Sequence, residues 1–385
     1  MAQLTIVADD LTGAADSAAP FALAGYATYV ALDPSRVPEA DVLALATDSR
    51  HLPAERAYDA VKQAVSALPE RRWLYKKIDS TLRGQPAAEL AALMAAGERT
   101  RALIAPAFPA QGRTTVAGRQ LVGGRPLEET PFARQVFSSD LLEHFPTAQL
   151  IDLQTVWEGV PAVIARLEEE VNGLWIGDAE TDDELRTLAR AALDGRVDVV
   201  CGSGGLSRAL SALAPFRSGS CPLVAGRSGG PVLVVAGSRH PASTAQVEAL
   251  RAQGTVVVEP QASLDPAISV LQAGRTALLA CHHGERRVDS KGFGRDLAQA
   301  VTRIAGAVSL GGLVVTGGDT AKLVSSALEA EGIWLRGELE PGIPLGVLAG
   351  GVVAGAAIAT KAGGFGDASA LCRMVAALSG ETAGV

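Results

Sequence analysis

Adjacent acidic residues close to the amino terminus are the first candidates for chemistry. The segment Asp9-Asp10-Leu11-Thr12-Gly13 follows a short apolar run that predicts a strand at Leu4–Ala8. Two neighbouring carboxylates repel each other unless a cation or a donor-rich ligand such as a polyol neutralises them, and one of them could act as a general base. A helix cap at Asp10 or Thr12 would explain one residue but not the whole cluster, which favours a functional site.

A second polar cluster, KKIDSTLRG, begins at Lys76 and lies at the end of the predicted strand Trp73–Ile78. It groups cations, a carboxylate and hydroxyl groups in one turn, which suits a small acid with several hydroxyls. Arg83 could hold a carboxylate in a bidentate fork. A solvated, capped loop is the alternative, and the density of polar groups favours a site. Arg113, in the next polar loop, fits a surface loop and a binding role equally well.

Three glycine-containing turns lie in the second half of the chain. Two of them, beginning at Gly237 and Gly317, follow predicted strands and open predicted helices, and the third is the segment KAGGFGD from Lys361. Backbone N–H groups at such turns can bind phosphates with the help of the helix amino terminus. One such turn is ordinary turn chemistry. Three in one half of the chain indicate a nucleotide site.

Several well-known signatures are absent from the sequence. There is no G-x-x-x-x-G-K-[ST] loop and no H-E-x-x-H helix, and residues 348–355 (LAGGVVAG) lack the G-x-G-x-x-G spacing. Any nucleotide site therefore differs from a P-loop and from the usual dinucleotide fold.

Composition limits the kind of protein this can be. The chain has 385 residues, of which 48% are hydrophobic and 20% charged, and its net charge is −8. The acidic balance argues against nucleic acid as a partner, and no apolar window is long enough to span a membrane. Four widely spaced cysteines predict reduced thiols, and the amino terminus lacks the features of a signal peptide. We therefore predict a cytoplasmic protein.

Short apolar runs alternate with helical patterns along most of the chain, which predicts an α/β fold. The stretch 106–137 is rich in Gly, Pro, Thr and Arg and is predicted to be an irregular functional loop. Gly and Ser are dense in RSGSCPLVAGRSGG, which indicates a linker. We predict two domains, each with a largely parallel sheet flanked by helices: residues 1–215, a linker at 216–230, and residues 231–385.

The motifs resemble one known family, the four-carbon acid-sugar kinases, formerly a domain family of unknown function. The matching segments follow the family's order over nearly the whole chain: IVADDLTGAADSA, YKKIDSTLRG, APAFPAQGRTTVAGRQLV, PLEETPFAR, GSRHPAS, TGGDTA and TKAGGFGD. The resemblance implies a sugar-acid-binding domain followed by a nucleotide-binding domain. It also implies transfer of the ATP γ-phosphoryl group to the terminal (4-) hydroxyl of D-threonate or D-erythronate.

The resemblance also implies roles for individual residues. Asp9, Asp10, Asp79 and Arg83 would contact the acid, and Ser238, Gly317 to Thr320 and Gly363 would hold ATP. With the residues argued above, the predicted acid site is Asp9, Asp10, Lys77, Asp79, Arg83 and Arg113, with Asp10 or Asp79 as the base. The predicted ATP site is Gly237, Ser238, Gly317, Gly318, Asp319, Thr320, Lys361, Gly363 and Gly364, with Asp319 as a ligand of Mg²⁺.

Other functions remain open at this point. Within the family, the alternatives are a 3-oxo-tetronate kinase or a 4-hydroxythreonine kinase. A lyase or isomerase could use Asp9-Asp10 as a metal site, and a regulator could bind nucleotide and sugar acid without turnover. The sequence is compatible with a homodimer.

Overall fold

The computed structural model describes residues 3–34, 36–66, 68, 73–215, 229–238, 240–280 and 290–380. The chain divides into two compact units, Met1–Thr28 with Pro38–Cys221, and Tyr29–Val37 with Pro222–Val385. The predicted linker 216–230 lies outside the described residues except for its last two glycines. The predicted domain limits therefore stay a prediction.

Within the described ranges, strands and helices alternate along most of the chain. The strands are β1 (Leu4–Ala8), β2 (Thr28–Ala31), β3 (Val42–Ala46), β4 (Trp73–Lys77), β5 (Arg101–Ala105), β6 (Arg113–Val116), β7 (Arg119–Val122), β8 (Arg125–Pro126), β9 (Ala148–Ile151), β10 (Gly173–Gly177), β11 (Val199–Gly202), β12 (Val232–Ala236), β13 (Val256–Val258), β14 (Ala277–Ala280), β15 (Gly312–Thr316), β16 (Gly332–Glu340), β17 (Ile343–Ala349) and β18 (Ala357–Lys361). The helices are α1 (Leu11–Leu23), α2 (Ala54–Ser66), α3 (Pro86–Ala96), α4 (Leu141–His144), α5 (Leu153–Trp157), α6 (Val160–Glu168), α7 (Asp182–Ala191), α8 (Gly204–Leu213), α9 (Pro241–Ala252), α10 (Asp265–Gln272), α11 (Ser290–Ala307), α12 (Gly318–Ala327) and α13 (Ala370–Ser379).

The first unit is built on a parallel sheet with the order β3-β1-β4-β11-β5-β10-β9. Its central strands are short and apolar because helices cover parallel sheets on both faces; β1, for example, is buried along its whole length. In a parallel sheet all strands end at the same edge, so β1, β3 and β4 deliver the residues that follow them to one place.

The stretch predicted as an irregular loop at 106–137 contains a small antiparallel sheet instead, β6-β7-β8. Two-residue turns connect its strands. Ala117-Gly118 has φ values of 50° and 71°, and Gly123-Gly124 has values of 57° and 76°. Positive φ at both turn residues is the geometry that matches the twist of a hairpin. The prediction of an irregular loop was wrong because these turn signals were read as general loop composition.

The second unit has a mixed sheet. Strands β13-β14-β12-β15-β18 are parallel, and β17, β16 and β2 extend the sheet in antiparallel pairs. The predicted class, α/β with two domains and largely parallel sheets, is confirmed.

Local signals in the sequence place several elements well. β1 has the predicted limits, Leu4–Ala8, and the strand predicted at Trp73–Ile78 ends one residue earlier, while Thr181 and Glu184 form a capping box at the start of α7. Cys201 and Cys372 are free thiols, while the other two cysteines lie outside the described residues. In the part of the chain that the structure covers, no helix has the length and apolar character needed to cross a bilayer.

Two neighbouring lysines at the end of β4 are both buried but face opposite sides of the sheet, because side chains alternate between the faces of a strand. Lys76 is fully buried, and its Nζ lies 2.7 Å from Oε2 of Glu89 in α3. It also donates to the carbonyl oxygens of Val7 and Lys77 at 3.2 and 2.8 Å. Ser49 donates to the other Glu89 oxygen at 2.6 Å. This pair joins the ends of β1 and β4 to the segment after β3.

Replacing Lys76 with Met is expected to lower the free energy of unfolding of the first unit by roughly 3–5 kcal/mol, because the Glu89 carboxylate is left buried without its counter-ion. Lys77→Met removes no ion pair and should have a much smaller effect. Urea unfolding followed by circular dichroism measures both midpoints. The double variant K76M/E89L should recover most of the loss, and equal midpoints for K76M and K77M would contradict this role.

Candidate functional site

The predicted acid-site residues of the first unit meet at the carboxyl ends of β1, β3 and β4, around Arg50. Arg50 Nε and Nη2 donate to the two carboxylate oxygens of Asp9, both at 2.7 Å. Nη1 donates to Asp10 Oδ2 at 2.5 Å, and Nη2 lies 3.6 Å from Asp79 Oδ2. One guanidinium therefore holds three carboxylates that would otherwise repel each other.

Each carboxylate of this cluster has a fixed orientation. Asp10 caps α1, since its Oδ1 accepts from the Gly13 N–H at 2.8 Å, and Thr12 donates to its Oδ2 at 3.0 Å. The cap predicted for Asp10 and its place in the cluster are thus both present. Gly84 has φ +89°, and a Cβ there would lie 3.0 Å from Asp9 Oδ2, so a side chain would crowd the cluster.

Asp79 is held from within its own turn. Its Oδ1 accepts from the Thr81 N–H at 2.9 Å, and Arg83 donates to Oδ1 and Oδ2 at 3.1 and 2.6 Å. Burial alone would raise the pKa of Asp79, but the charges of Arg83 and Arg50 outweigh it and hold that pKa well below its usual value. The Asp9 pKa is also lowered, since Arg50 outweighs the effect of burial.

Arg83 and Arg113 provide further positive charge. The Arg83 guanidinium lies 5.8 Å from the centre of the Phe132 ring, in the range of a cation–π contact. Arg113 begins β6, and its charge interacts with both Asp79 and Arg83. Burial lowers the Arg113 pKa.

The β6-β7 hairpin is fixed to this turn by a buried glutamine. Gln120 Nε2 donates to the Ser80 carbonyl oxygen at 2.7 Å, and its Oε1 accepts from Thr115 at 2.7 Å. At the far turn of the hairpin, Asp178 accepts from the N–H groups of Ala117 and Gly118 at 2.7 and 2.9 Å. The start of β6, and with it Arg113, is therefore held in place.

The charges of the seven named groups do not cancel. Three carboxylates (Asp9, Asp10 and Asp79) are grouped with four cations (Arg50, Lys77, Arg83 and Arg113). The set carries one net positive charge in a protein that is acidic as a whole. Such a site can bind a small anion, hold its hydroxyl groups by hydrogen bonds and accept a proton.

The glycine-containing turns of the second unit lie side by side, because β12, β15 and β18 are neighbours in its sheet. A Cβ on Gly237 would overlap Thr320 Oγ1, and one on Gly363 would overlap Ser238 Oγ. Gly317, with φ +99°, donates its N–H to the Lys361 carbonyl oxygen at 2.9 Å and caps α12. The structure thus brings together the residues that were predicted to bind a nucleotide.

Side chains of α9 hold the loop that follows β18. Ser243 donates to the Gly363 carbonyl oxygen at 2.7 Å. Gln246 Nε2 lies within 3.1, 3.1 and 2.8 Å of the carbonyl oxygens of Phe365, Gly366 and Asp367. Because these carbonyl groups are bonded to Gln246, the backbone conformation of the loop is fixed. His240 caps α9 by accepting the Ala242 N–H at its Nδ1.

Lys361 and Asp319, two other predicted residues, differ in exposure. Lys361 is fully buried and donates to Thr316 Oγ1 and the Gly363 carbonyl oxygen, both at 3.3 Å. Burial lowers its pKa to about 8. Asp319 is exposed in the first turn of α12. No group of three or more potential metal-ligating side chains occurs among the described residues. A magnesium ion held mainly by phosphates needs only one or two carboxylates, and Asp319 can supply one.

Sequence reasoning missed Arg50, Gln120, Ser243 and Gln246. Arg50 follows β3 within a polar segment, TDSR, so the rule applied to β1 and β4 would have found it. The other three point inward from hairpin or helix positions and have no local signature.

Comparison with known proteins supports the division of roles between the two units. The model of a sugar-binding N-terminal domain matches residues 4–210, and that of a nucleotide-binding C-terminal domain matches residues 233–371. The crystal structure of a Salmonella typhimurium LT2 protein has the same fold, with a TM-score of 0.81 at 22% identity, over 96% of this chain and 98% of that one. A Bordetella bronchiseptica protein of a domain family of unknown function, a domain-swapped dimer with bound citrate, has a TM-score of 0.50 at 35% identity, over 98% of both chains.

Curated relatives align with nearly the whole chain. A D-threonate kinase of Bordetella bronchiseptica is 37% identical over 97% of this chain and 96% of its own. A D-erythronate kinase of Heliobacterium modesticaldum is 31% identical over 97% of both chains. A 3-oxo-tetronate kinase of Methylobacterium radiotolerans is 31% identical over 95% of this chain and 96% of its own. Two domain families in the expected order and relatives that share one type of reaction lead to the same conclusion: this chain belongs to the family of ATP-dependent kinases that act on four-carbon acid sugars.

Proposed function

We propose that the protein transfers the γ-phosphoryl group of ATP to the 4-hydroxyl group of D-threonate, with D-erythronate as the next best substrate. The observation that carries this proposal is the Arg50 cluster, where carboxylates and cations stand together at one sheet edge of the sugar-binding unit. The higher identity to a D-threonate kinase supports the order of substrates. The citrate bound to the Bordetella protein supports an acid site.

In the first unit, Arg83 and Arg113 hold the substrate carboxylate, since a planar guanidinium matches a carboxylate in two hydrogen bonds. Asp10 accepts the proton of the 4-hydroxyl group as its oxygen bonds to phosphorus. The bond from phosphorus to the bridging oxygen breaks, and its electron pair leaves with ADP. Asp79 is the poorer base, because Arg83 donates to both of its oxygens and holds its pKa well below the usual value. Asp9 orients Arg50.

In the second unit, the turns at Gly237, Gly317 and Gly363 bind the phosphates of ATP through backbone N–H groups and the amino terminus of α12. Asp319 would hold Mg²⁺, which would supply positive charge to neutralise the phosphates. Ser238 and Thr320 lie at these turns, and a Cβ on Gly364 would lie 3.2 Å from the His240 ring. Gly318 begins α12. Lys361 supports this loop by its hydrogen bond to the Gly363 carbonyl oxygen.

The alternatives differ in chemistry. A 4-hydroxythreonine kinase would have to accept an ammonium group in a site with net positive charge, which disfavours it. A 3-oxo-tetronate kinase would bind a carbonyl group in place of a hydroxyl group. A regulator would bind both ligands without turnover. The domain-swapped Bordetella protein supports a homodimer, which light scattering can test. A cytoplasmic location stays a prediction.

A screen of four-carbon acids is expected to give the highest kcat/KM with D-threonate and a lower value with D-erythronate. ADP release measured with ATP and Mg²⁺ detects turnover of each acid. ATP binding without ADP release for any acid would contradict the proposed kinase and favour the regulator. A preference for 3-oxo-tetronate would overturn the choice of substrate.

Asp10→Asn is expected to lower kcat at least about 100-fold, because a general base contributes that much or more. ATP affinity should be unchanged, and the fold should persist because Asn is also a good helix cap. Asp152→Asn is the matched control, since Asp152 caps α5 in the same unit. Stopped-flow turnover and calorimetry give the two quantities. Full activity of D10N with loss of activity in D79N would move the base to Asp79.

Gln246→Leu is expected to raise the KM for ATP roughly tenfold, because three loop carbonyls lose their donor. The KM for the sugar acid should remain unchanged at saturating ATP. Gln253→Leu is the control, since Gln253 is an exposed residue at the end of the same helix. Steady-state kinetics with each substrate varied separates the two constants. Equal increases in both KM values would contradict a role limited to the nucleotide loop.

A further inference from the structure

Lys77 is a buried lysine that the protein itself leaves without a direct partner. Only 5% of its surface is exposed. Among the described residues no oxygen accepts a hydrogen bond from its Nζ, and no carboxylate lies within ion-pair distance. Lys76, one residue before it, has an ion pair with Glu89 and two further hydrogen bonds. The Lys77 Nζ is not among the fully buried polar atoms that lack a partner, so it can be reached by a ligand, and an anion would supply the acceptors that the described residues do not.

The Lys77 ammonium group points at the first turn of α1. Its Nζ lies 3.2 Å from the position that a Cβ on Gly13 would take. The same Cβ position lies 2.6 Å from Asp10 Oδ1, so the ammonium group is near the carboxylate that caps α1. The partial positive charge of a helix amino terminus favours an anion at this place. The Lys77 charge also acts on the carboxyl groups of Asp9 and Asp79, so it belongs to the same cluster.

We infer that Lys77 and the first turn of α1 form a phosphate subsite, which binds the phosphoryl group on the 4-oxygen of the product. This inference rests on the proposed function, and it gives the acid site two anion-binding parts. Arg83 and Arg113 bind the carboxylate at one end of the acid, and Lys77 binds the phosphate at the other end.

The position of Asp10 favours the phosphate over the carboxylate as the ligand of Lys77. Asp10 accepts the proton of the attacked hydroxyl group, and the same Asp10 accepts the Gly13 N–H at 2.8 Å. Phosphorus must come within about 3–3.5 Å of that hydroxyl oxygen before transfer. The phosphoryl group therefore arrives beside Gly13, where the Lys77 ammonium lies. Lysine binds phosphate well as a point charge, whereas the arginine fork suits a carboxylate.

Calorimetric titrations of Lys77→Met with D-threonate and with D-threonate 4-phosphate, in the absence of nucleotide, test the subsite. We expect the affinity for the phosphate ester to fall about 10- to 100-fold, because a charge-assisted contact is lost. Affinity for D-threonate should change less than about threefold, because D-threonate has no phosphate group to contact Lys77. Lys62→Met is the control, since Lys62 is an exposed lysine on α2 of the same unit. Arg83→Lys should weaken both ligands by the same factor, because both carry the carboxylate.

Either of two calorimetric results would overturn the subsite. An equal loss for both ligands in K77M would place Lys77 at the carboxylate or the hydroxyl groups. Unchanged affinity for both would make Lys77 a structural residue. If the wild-type protein phosphorylates no four-carbon acid, the proposed function fails, and inorganic phosphate then tests Lys77 separately. Phosphate should raise the thermal midpoint of the wild type and of K62M but not of K77M, and an equal rise in all three would overturn the subsite.

Discussion

The shared guanidinium of Arg50 is the interaction around which the first unit is organised. Three carboxylates that repel each other contact this one guanidinium, and Arg83 adds a second cation beside Asp79. Parallel strands bring Asp9, Asp10 and Asp79 to one edge, and the segment after β3 brings Arg50 between them. The Lys76–Glu89 pair holds Ser49, so the residue before Arg50 is fixed as well. The ion pairs of the site are thus supported by a second buried pair beneath them.

The second unit reaches a binding surface by different means. Its turns use glycines and backbone groups, and the lysine beneath the loop, Lys361, is bonded to protein oxygens. The positive charge that binds a phosphate comes here from backbone N–H groups and helix amino termini. These groups need no counter-ion when the ligand is absent. The first unit instead uses charged side chains, most of which pair with each other, and their net positive charge suits a small acid with hydroxyl groups. The two units therefore divide the work of recognition by the chemistry of their ligands.

Sequence reasoning predicted the class of the fold and the groups of residues that the structure brings together, because strand ends and helix caps have local signals. Asp10 and Thr181 are examples of such signals. It missed β16 and β17, whose glycines interrupt the apolar pattern, and the hairpin of β6 and β7. Arg50, Gln120 and Gln246 each have at least one partner that is 40 or more residues away in the chain, at a distance that only tertiary structure sets. Roles that depend on such contacts cannot be read from spacing.

The small sheet β6-β7-β8 affects how the acid site can change during evolution. Its own ladder holds its strands together, while Gln120, Asp178 and backbone bridges to Ala179 and Asp140 attach it to the rest of the unit. Exposed positions between these attachments, such as Arg125, can be substituted without disturbing the seven-stranded sheet. Selection can therefore vary the outer border of the acid site while Arg50 and its carboxylates stay unchanged. Divergence in substrate preference would then accumulate in this sheet first.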